Sequence, residues 1–84
     1  MRVIFKKQFE KRFKKLSPKL KEQFYERLEL LLRDKFNRTL NNHSVGFAYP
    51  DCRSINITGD CRAIFQETED AIVFVLVGTH PELY

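Results

Sequence analysis

Glycine and proline are scarce in this 84-residue chain, three of each, and it has only two cysteines. So little Gly and Pro excludes a collagen-like or low-complexity chain. A composition of 43% hydrophobic and 31% charged residues argues against disorder. No apolar run is longer than residues 71–77, far short of the roughly 20 residues that span a bilayer as a helix. The amino terminus, Met-Arg-Val-Ile-Phe-Lys-Lys, has neither the apolar region nor the cleavage site of a signal peptide. A soluble cytoplasmic domain is therefore expected, with no membrane contact. Cys52 and Cys61 do not form a Cys-x-x-Cys pair, and no second pair exists to complete a zinc site. Two reduced, buried or half-buried thiols are expected, with no metal and no cofactor.

What is present suits one small domain over residues 1–84. Eight Phe and three Tyr supply bulky core material, although a core of this size gives only marginal stability. The net charge of +4 is divided unevenly. Residues 1–40 carry thirteen Lys or Arg against five Asp or Glu, a net of +8, and residues 41–84 carry two against six, a net of −4. A basic half is either a solvated helix face or a surface that meets polyphosphate. Lys6, Lys7, Lys11, Lys14 and Lys15 crowd together with Glu10 as their only acid. Such self-repulsion favours a neutralising partner.

Val3, Ile4 and Phe5 read as a short strand. Phe9, Phe13 and Leu16 then fall at helical spacing. Ser17-Pro18 ends that helix and starts another, Ser as cap and Pro in the first turn. The second helix buries Leu20, Phe24, Leu28 and Leu31, with Leu32 and Phe36 as further candidates. Residues 37–50 show no period and read as a loop. Strands follow at 53–57, 62–66 and 71–77, joined by Thr58-Gly59-Asp60 and by an acidic turn at 67–70.

A three-residue loop at Thr58-Gly59-Asp60 sets Asn56 opposite Arg62 and Ile55 opposite Ala63. Ile55, Ile57, Cys61, Ala63 and Phe65 then share the face toward the helices. Ser54, Asn56, Arg62 and Ile64 share the open face, where an Asn–Arg pair suits a phosphate. A two-residue turn would shift the register and bury Arg62 beside Ile55. The last strand is apolar throughout, as for a central strand covered on both sides. The expected fold is α+β, in the order β-α-α-β-β-β. An N-terminal helical hairpin packs on one face of a mostly antiparallel sheet.

The run Arg53-Ser-Ile-Asn-Ile-Thr-Gly-Asp-Cys-Arg-Ala-Ile-Phe and the ending Gly78-Thr-His-Pro-Glu-Leu-Tyr84 resemble the RelE/YafQ-type toxins of bacterial type II toxin–antitoxin systems. The likeness covers the whole chain in architecture and is most specific in residues 53–84. It implies a ribosome-dependent mRNA endoribonuclease, an mRNA interferase, that is held in check by a cognate antitoxin protein. Its partners would be the ribosome (rRNA) and mRNA. The implied chemistry is metal-independent transesterification by the ribose 2′-OH, which needs a base, an acid and cations for the phosphorane charge.

Carried over position by position, the resemblance makes His80 the C-terminal catalytic histidine, a residue type that takes and gives protons near neutral pH. Tyr84 matches the terminal aromatic, able to stack on a base or donate a proton. Arg62 matches a phosphate-contacting arginine, and Asp60 an acid in the hairpin turn. His43 falls near a His-Pro-Leu segment common in the family, here His43-Ser-Val45. Lys6, Lys7, Lys11, Lys14 and Lys15 would bind RNA backbone. Two positions depart from the pattern. Asn56 replaces a second catalytic histidine and cannot shuttle a proton. Leu76 stands where the family places an arginine. These departures favour one alternative, a catalytically weakened antitoxin- or RNA-binding member. A second, a non-nucleolytic, ParE-like gyrase inhibitor on the same fold, is opposed by the His80 tail.

Overall fold

A computed structural model describes all residues from Met1 to Tyr84. Val3, Ile4 and Phe5 lie in β1 (Arg2–Phe5), and Phe9 and Phe13 in α1 (Lys7–Phe13). The Ser17 hydroxyl accepts a hydrogen bond from the Leu20 N–H at 3.2 Å, and Pro18 fills the first turn of α2 (Pro18–Arg33). Three longer strands follow, β3 (Arg53–Asn56), β4 (Cys61–Glu67) and β5 (Ala71–Thr79), preceded by a two-residue β2 (His43–Ser44). A short α3 (His80–Leu83) ends the chain. The sheet order is β1-β5-β4-β3-β2, with β1 parallel to β5 and every other pair antiparallel. No helix is long and apolar enough to cross a membrane.

One face of the sheet carries the main core. Ile55, Ile57, Cys61, Ala63, Phe65, Phe74 and Val77 pack there against Phe9, Phe24 and Leu31 of the helices. Phe5, Phe9, Phe13, Phe24 and Phe74 form a continuous set of ring contacts, with centroids 5.1–6.2 Å apart. Asn56 pairs with Arg62 and Ile55 with Ala63, the register that the three-residue loop requires.

Three features differ from the sequence expectation. Leu32 and Phe36 are exposed, at 49% and 65%. Leu32 lies one residue beyond Leu31 and so about a quarter-turn off the buried stripe, and Phe36 lies beyond the end of α2. Residues 37–50 are not simply a loop. They hold a 3₁₀ turn (Arg38–Leu40), capped by the Asn37 side chain, and then β2. Elements of two or three residues are too short to show a period. The second sheet face is also not open along its length, because Ser54 and Ile64 are fully buried there. Val45, Cys52 and Leu83 pack with Ile64.

Two further details position the site. Ile64 pairs with Leu76 but Phe65 pairs with Phe74, so Val75 is a bulge in β5. The extra residue reverses the alternation, sending Phe74 to the helix face while Leu76 joins the second face. In addition, β1 pairs only with Ala71 to Phe74. That leaves the second half of β5 with a strand neighbour on one side only, β4, and α1 packs against β5.

Candidate active site

The β3–β4 hairpin turns on Thr58, whose hydroxyl accepts from the N–H groups of Asp60 (3.3 Å) and Cys61 (3.0 Å). This sets the Asp60 side chain at the tip and Arg62 one residue inside β4. Arg62 Nε donates to Asn56 Oδ1 across the pair at 3.1 Å. The amide orients the guanidinium, and the two Nη groups remain unpaired.

The chain end comes to the same place. Gly78 pairs with Arg62, and Thr79 turns the chain into α3. The Glu82 carboxylate accepts from the Thr79 N–H at 2.7 Å and the Thr79 hydroxyl at 3.0 Å, while Pro81 fits the first turn. Leu83 is buried in the second apolar cluster, and the Tyr49 hydroxyl donates to its carbonyl oxygen. The result is a polar recess of about 470 Å³ lined by Gly59, Asp60, Arg62, Thr79, His80 and Pro81.

Hydrogen bonds from the Thr79 backbone and side chain hold Glu82 below the ordinary carboxylate range, and Arg12 helps. Burial raises the Tyr84 phenol above its ordinary value and nearby Tyr49 adds to the rise, while Ser54 and the Arg62 guanidinium oppose it. Tyr84 therefore stays protonated and can donate. Ser54 is fully buried, with its hydroxyl beside that phenol. Both cysteines are buried and free. Burial raises their thiols, with help from Asp51 at Cys52 and from Glu82 at Cys61.

Of the residues singled out in the sequence, His80, Arg62 and Asp60 meet in the recess. Asn56 stands behind Arg62, and the Tyr84 ring lies 4.8 Å from that of His80. His43 does not line the recess: it is exposed on the edge strand, with Nδ1 2.7 Å from the Asn41 carbonyl oxygen. Arg53 is held away, bound to Asn42 at 2.7 Å and lying over the Phe36 ring. The five lysines are all exposed but do not all share one surface. Lys11 and Lys15 lie beside Leu76 and Lys6 and Lys7 beside Val75, with Gln8 adjoining both groups, whereas Lys14 lies apart from them with Phe13 and Tyr25. No group of three or more His, Cys, Asp or Glu is placed to hold a metal ion.

A family model described as "Bacterial toxin of type II toxin-antitoxin system, YafQ" matches residues 1–84. The chain belongs to the YafQ toxin family. It is thus a type II toxin, and its fold recurs in solved structures. YafQ from Escherichia coli strain BL21(DE3) superposes with a TM-score of 0.82 at 20% identity, over 100% of this chain and 99% of that one. The E. coli DinJ–YafQ complex gives 0.79 at 19% identity, with the same coverage. The intact E. coli RelBE toxin–antitoxin complex gives 0.73 at 22%, over 93% of this chain and 94% of that one. No curated protein sequence matches significantly.

In this YafQ-family chain the structure adds residues that sequence reasoning passed over. Arg12 of α1 brings Nη1 within 3.4 Å of where a Gly78 Cβ would stand. It is half-buried and makes no hydrogen bond or ion pair. Its only signal in the sequence was membership of the basic half. A Cβ on Gly78 would also come within 3.1 Å of Glu82 Oε1, so Gly78 leaves the space that the folded-back tail occupies. Tyr49 carried no signal, because its partner is a backbone carbonyl 34 residues away.

Proposed function

We propose that this toxin is a ribosome-dependent mRNA endoribonuclease. The observation that carries the reading is the convergence of Arg62, His80 and Asp60 in one polar recess, with the Tyr84 phenol against the His80 ring. Such a group supplies what transesterification needs. The 2′-oxygen attacks phosphorus and gives up its proton to a base, the P–O5′ bond breaks, and the departing 5′-oxygen takes a proton from an acid. The products are a 2′,3′-cyclic phosphate and a 5′-hydroxyl.

Arg62, oriented by Asn56, grips the non-bridging phosphate oxygens. His80 transfers a proton, and Tyr84, held in its protonated form, donates to the phosphate or the leaving oxygen. Asp60 accepts from the 2′-OH or from His80. Asn56 acts through Arg62 and is a positioning residue. Arg12, Lys11 and Lys15 extend the positive field along β5, and Lys6, Lys7 and Lys14 meet rRNA backbone. The relatives crystallised as DinJ–YafQ and RelBE complexes support a cognate antitoxin partner. It would dock on the helical hairpin or the sheet by helix or strand addition.

Primer extension on a reporter mRNA, in a purified translation reaction with and without ribosomes, tests the reading. Wild-type protein should cut only when ribosomes are present. Arg62→Ala should lower the rate about 10²- to 10³-fold, by analogy with a lost oxyanion donor, and His80→Ala should abolish cutting. Full-length mRNA with the wild type would refute the nuclease and direct attention to gyrase supercoiling. Cuts that survive His80→Ala would keep the activity and remove His80 from it.

A further inference from the structure

Phe47 is the most exposed large apolar residue of the chain, at 82%, yet it is neither isolated nor on a loose loop. Its segment is closed by hydrogen bonds: Val45 N–H to Cys52 O, Ala48 and Tyr49 N–H to Val45 O, and Cys52 N–H to Tyr49 O. Val45 and Cys52 anchor the ends in the second apolar cluster. The Phe47 ring stacks on Tyr84 with centroids 5.6 Å apart and planes 25° from parallel. Tyr84 in turn touches His80 at 4.8 Å and Tyr49 at 5.9 Å. Three rings thus engage Tyr84, and the free π-face at this end of the site belongs to Phe47.

We infer that Phe47 is a stacking platform for an unpaired nucleobase of the substrate strand, backed by Tyr84 and one ring removed from His80. The inference rests on the ribonuclease reading above and adds a base subsite to it. Two observations favour a base over an apolar protein side chain. The platform adjoins a polar recess holding Arg62, so a strand whose phosphate lies on Arg62 brings a neighbouring base to Phe47. The ring is also 82% exposed with Tyr84 stacked on one face, so the other face is available to a planar base. Stacking on an aromatic side chain reads unpaired bases in single-stranded RNA and tolerates any base identity.

The test uses the full chain and ribosomes programmed with an mRNA whose A-site nucleotides carry 2′-O-methyl groups, so that binding is measured without cleavage. An abasic nucleotide is placed in turn at each position of the A-site codon and its neighbours. One position should weaken wild-type binding about 5- to 160-fold, the ratio equivalent to the about 1–3 kcal/mol of one stacked base. Phe47→Ala should bind weakly by a similar factor and be indifferent to the abasic site at that position. Phe47→Trp should retain affinity, whereas Phe47→Leu, apolar but without a π-face, should not. Losses that simply multiply at every position, or wild-type affinity for Phe47→Ala, overturn the platform. The second result is also what a ring serving only a protein partner would give. Arg62→Ala separates the two levels. If the wild type fails to bind programmed ribosomes, or binds equally well without Arg62, the ribonuclease reading itself falls.

Discussion

Replacing Tyr49 with Phe removes one oxygen atom and leaves the aromatic packing in place. That oxygen donates to the Leu83 carbonyl, a contact that ties α3, and with it His80 and Tyr84, to the loop preceding β3. A net hydrogen bond contributes about 0.5–1.5 kcal/mol, so its loss should shift the docked-to-undocked ratio of the tail about 2- to 13-fold. Leu83 remains buried in its cluster and Glu82 still caps Thr79, so the tail loosens locally and the domain does not unfold. Hydrogen exchange followed by NMR should show the Tyr84 amide, bonded to the His80 carbonyl oxygen at 3.0 Å, losing protection by that factor. Amides of the β4–β5 ladder should keep theirs. If cleavage requires a docked tail, kcat falls with the docked population only once the undocked form dominates. The activity loss should therefore be smaller than the exchange effect. Leu83→Ala, which removes buried contacts as well, should loosen the tail further. An unchanged Tyr84 amide in Tyr49→Phe would refute the idea that this hydroxyl holds the tail. So would equal loss of protection across the sheet.

Phe24 is fully buried at the centre of the aromatic cluster, so Phe24→Ala should cost about 3–5 kcal/mol in urea unfolding. Phe36→Ala, which loses only cation–π contacts at the surface, should cost about 1 kcal/mol or less. Glu82 is held below the ordinary carboxylate range. Its contribution is therefore complete above the unfolded carboxyl pKa and lost as pH falls through the depressed folded value. The Thr79 amide resonance should track that loss in acid, and Glu82→Gln should flatten its titration. Burial raises both thiols, and the thiolate is the reactive form. Iodoacetamide should thus label Cys52 and Cys61 slowly in the native protein and rapidly in urea.

Much of this molecule was legible in order of residues because the deciding interactions are local or strictly periodic. The alternation from Ser54 to Phe65, with one turn length, determined the β3–β4 register and placed Asn56 opposite Arg62. Helical spacing picked out Phe9, Phe24 and Leu31 as core. Ser17-Pro18 marked the start of α2, whereas His80 was singled out only by the resemblance of the tail to the family's ending. Tertiary structure decided the rest. Every residue from 71 to 77 is apolar, so nothing in that run marks Val75 as a bulge. Yet the bulge is what turns Leu76 toward the second face. Arg12 reaches Gly78 only because β1 is shorter than β5 and α1 packs against the uncovered half. Tyr49 and Phe47 join the site through contacts with Leu83 and Tyr84, more than thirty residues along the chain. Periodicity reports which side of its own element a residue faces. Which elements then meet depends on strand lengths and a single inserted residue, and these carry no local signature.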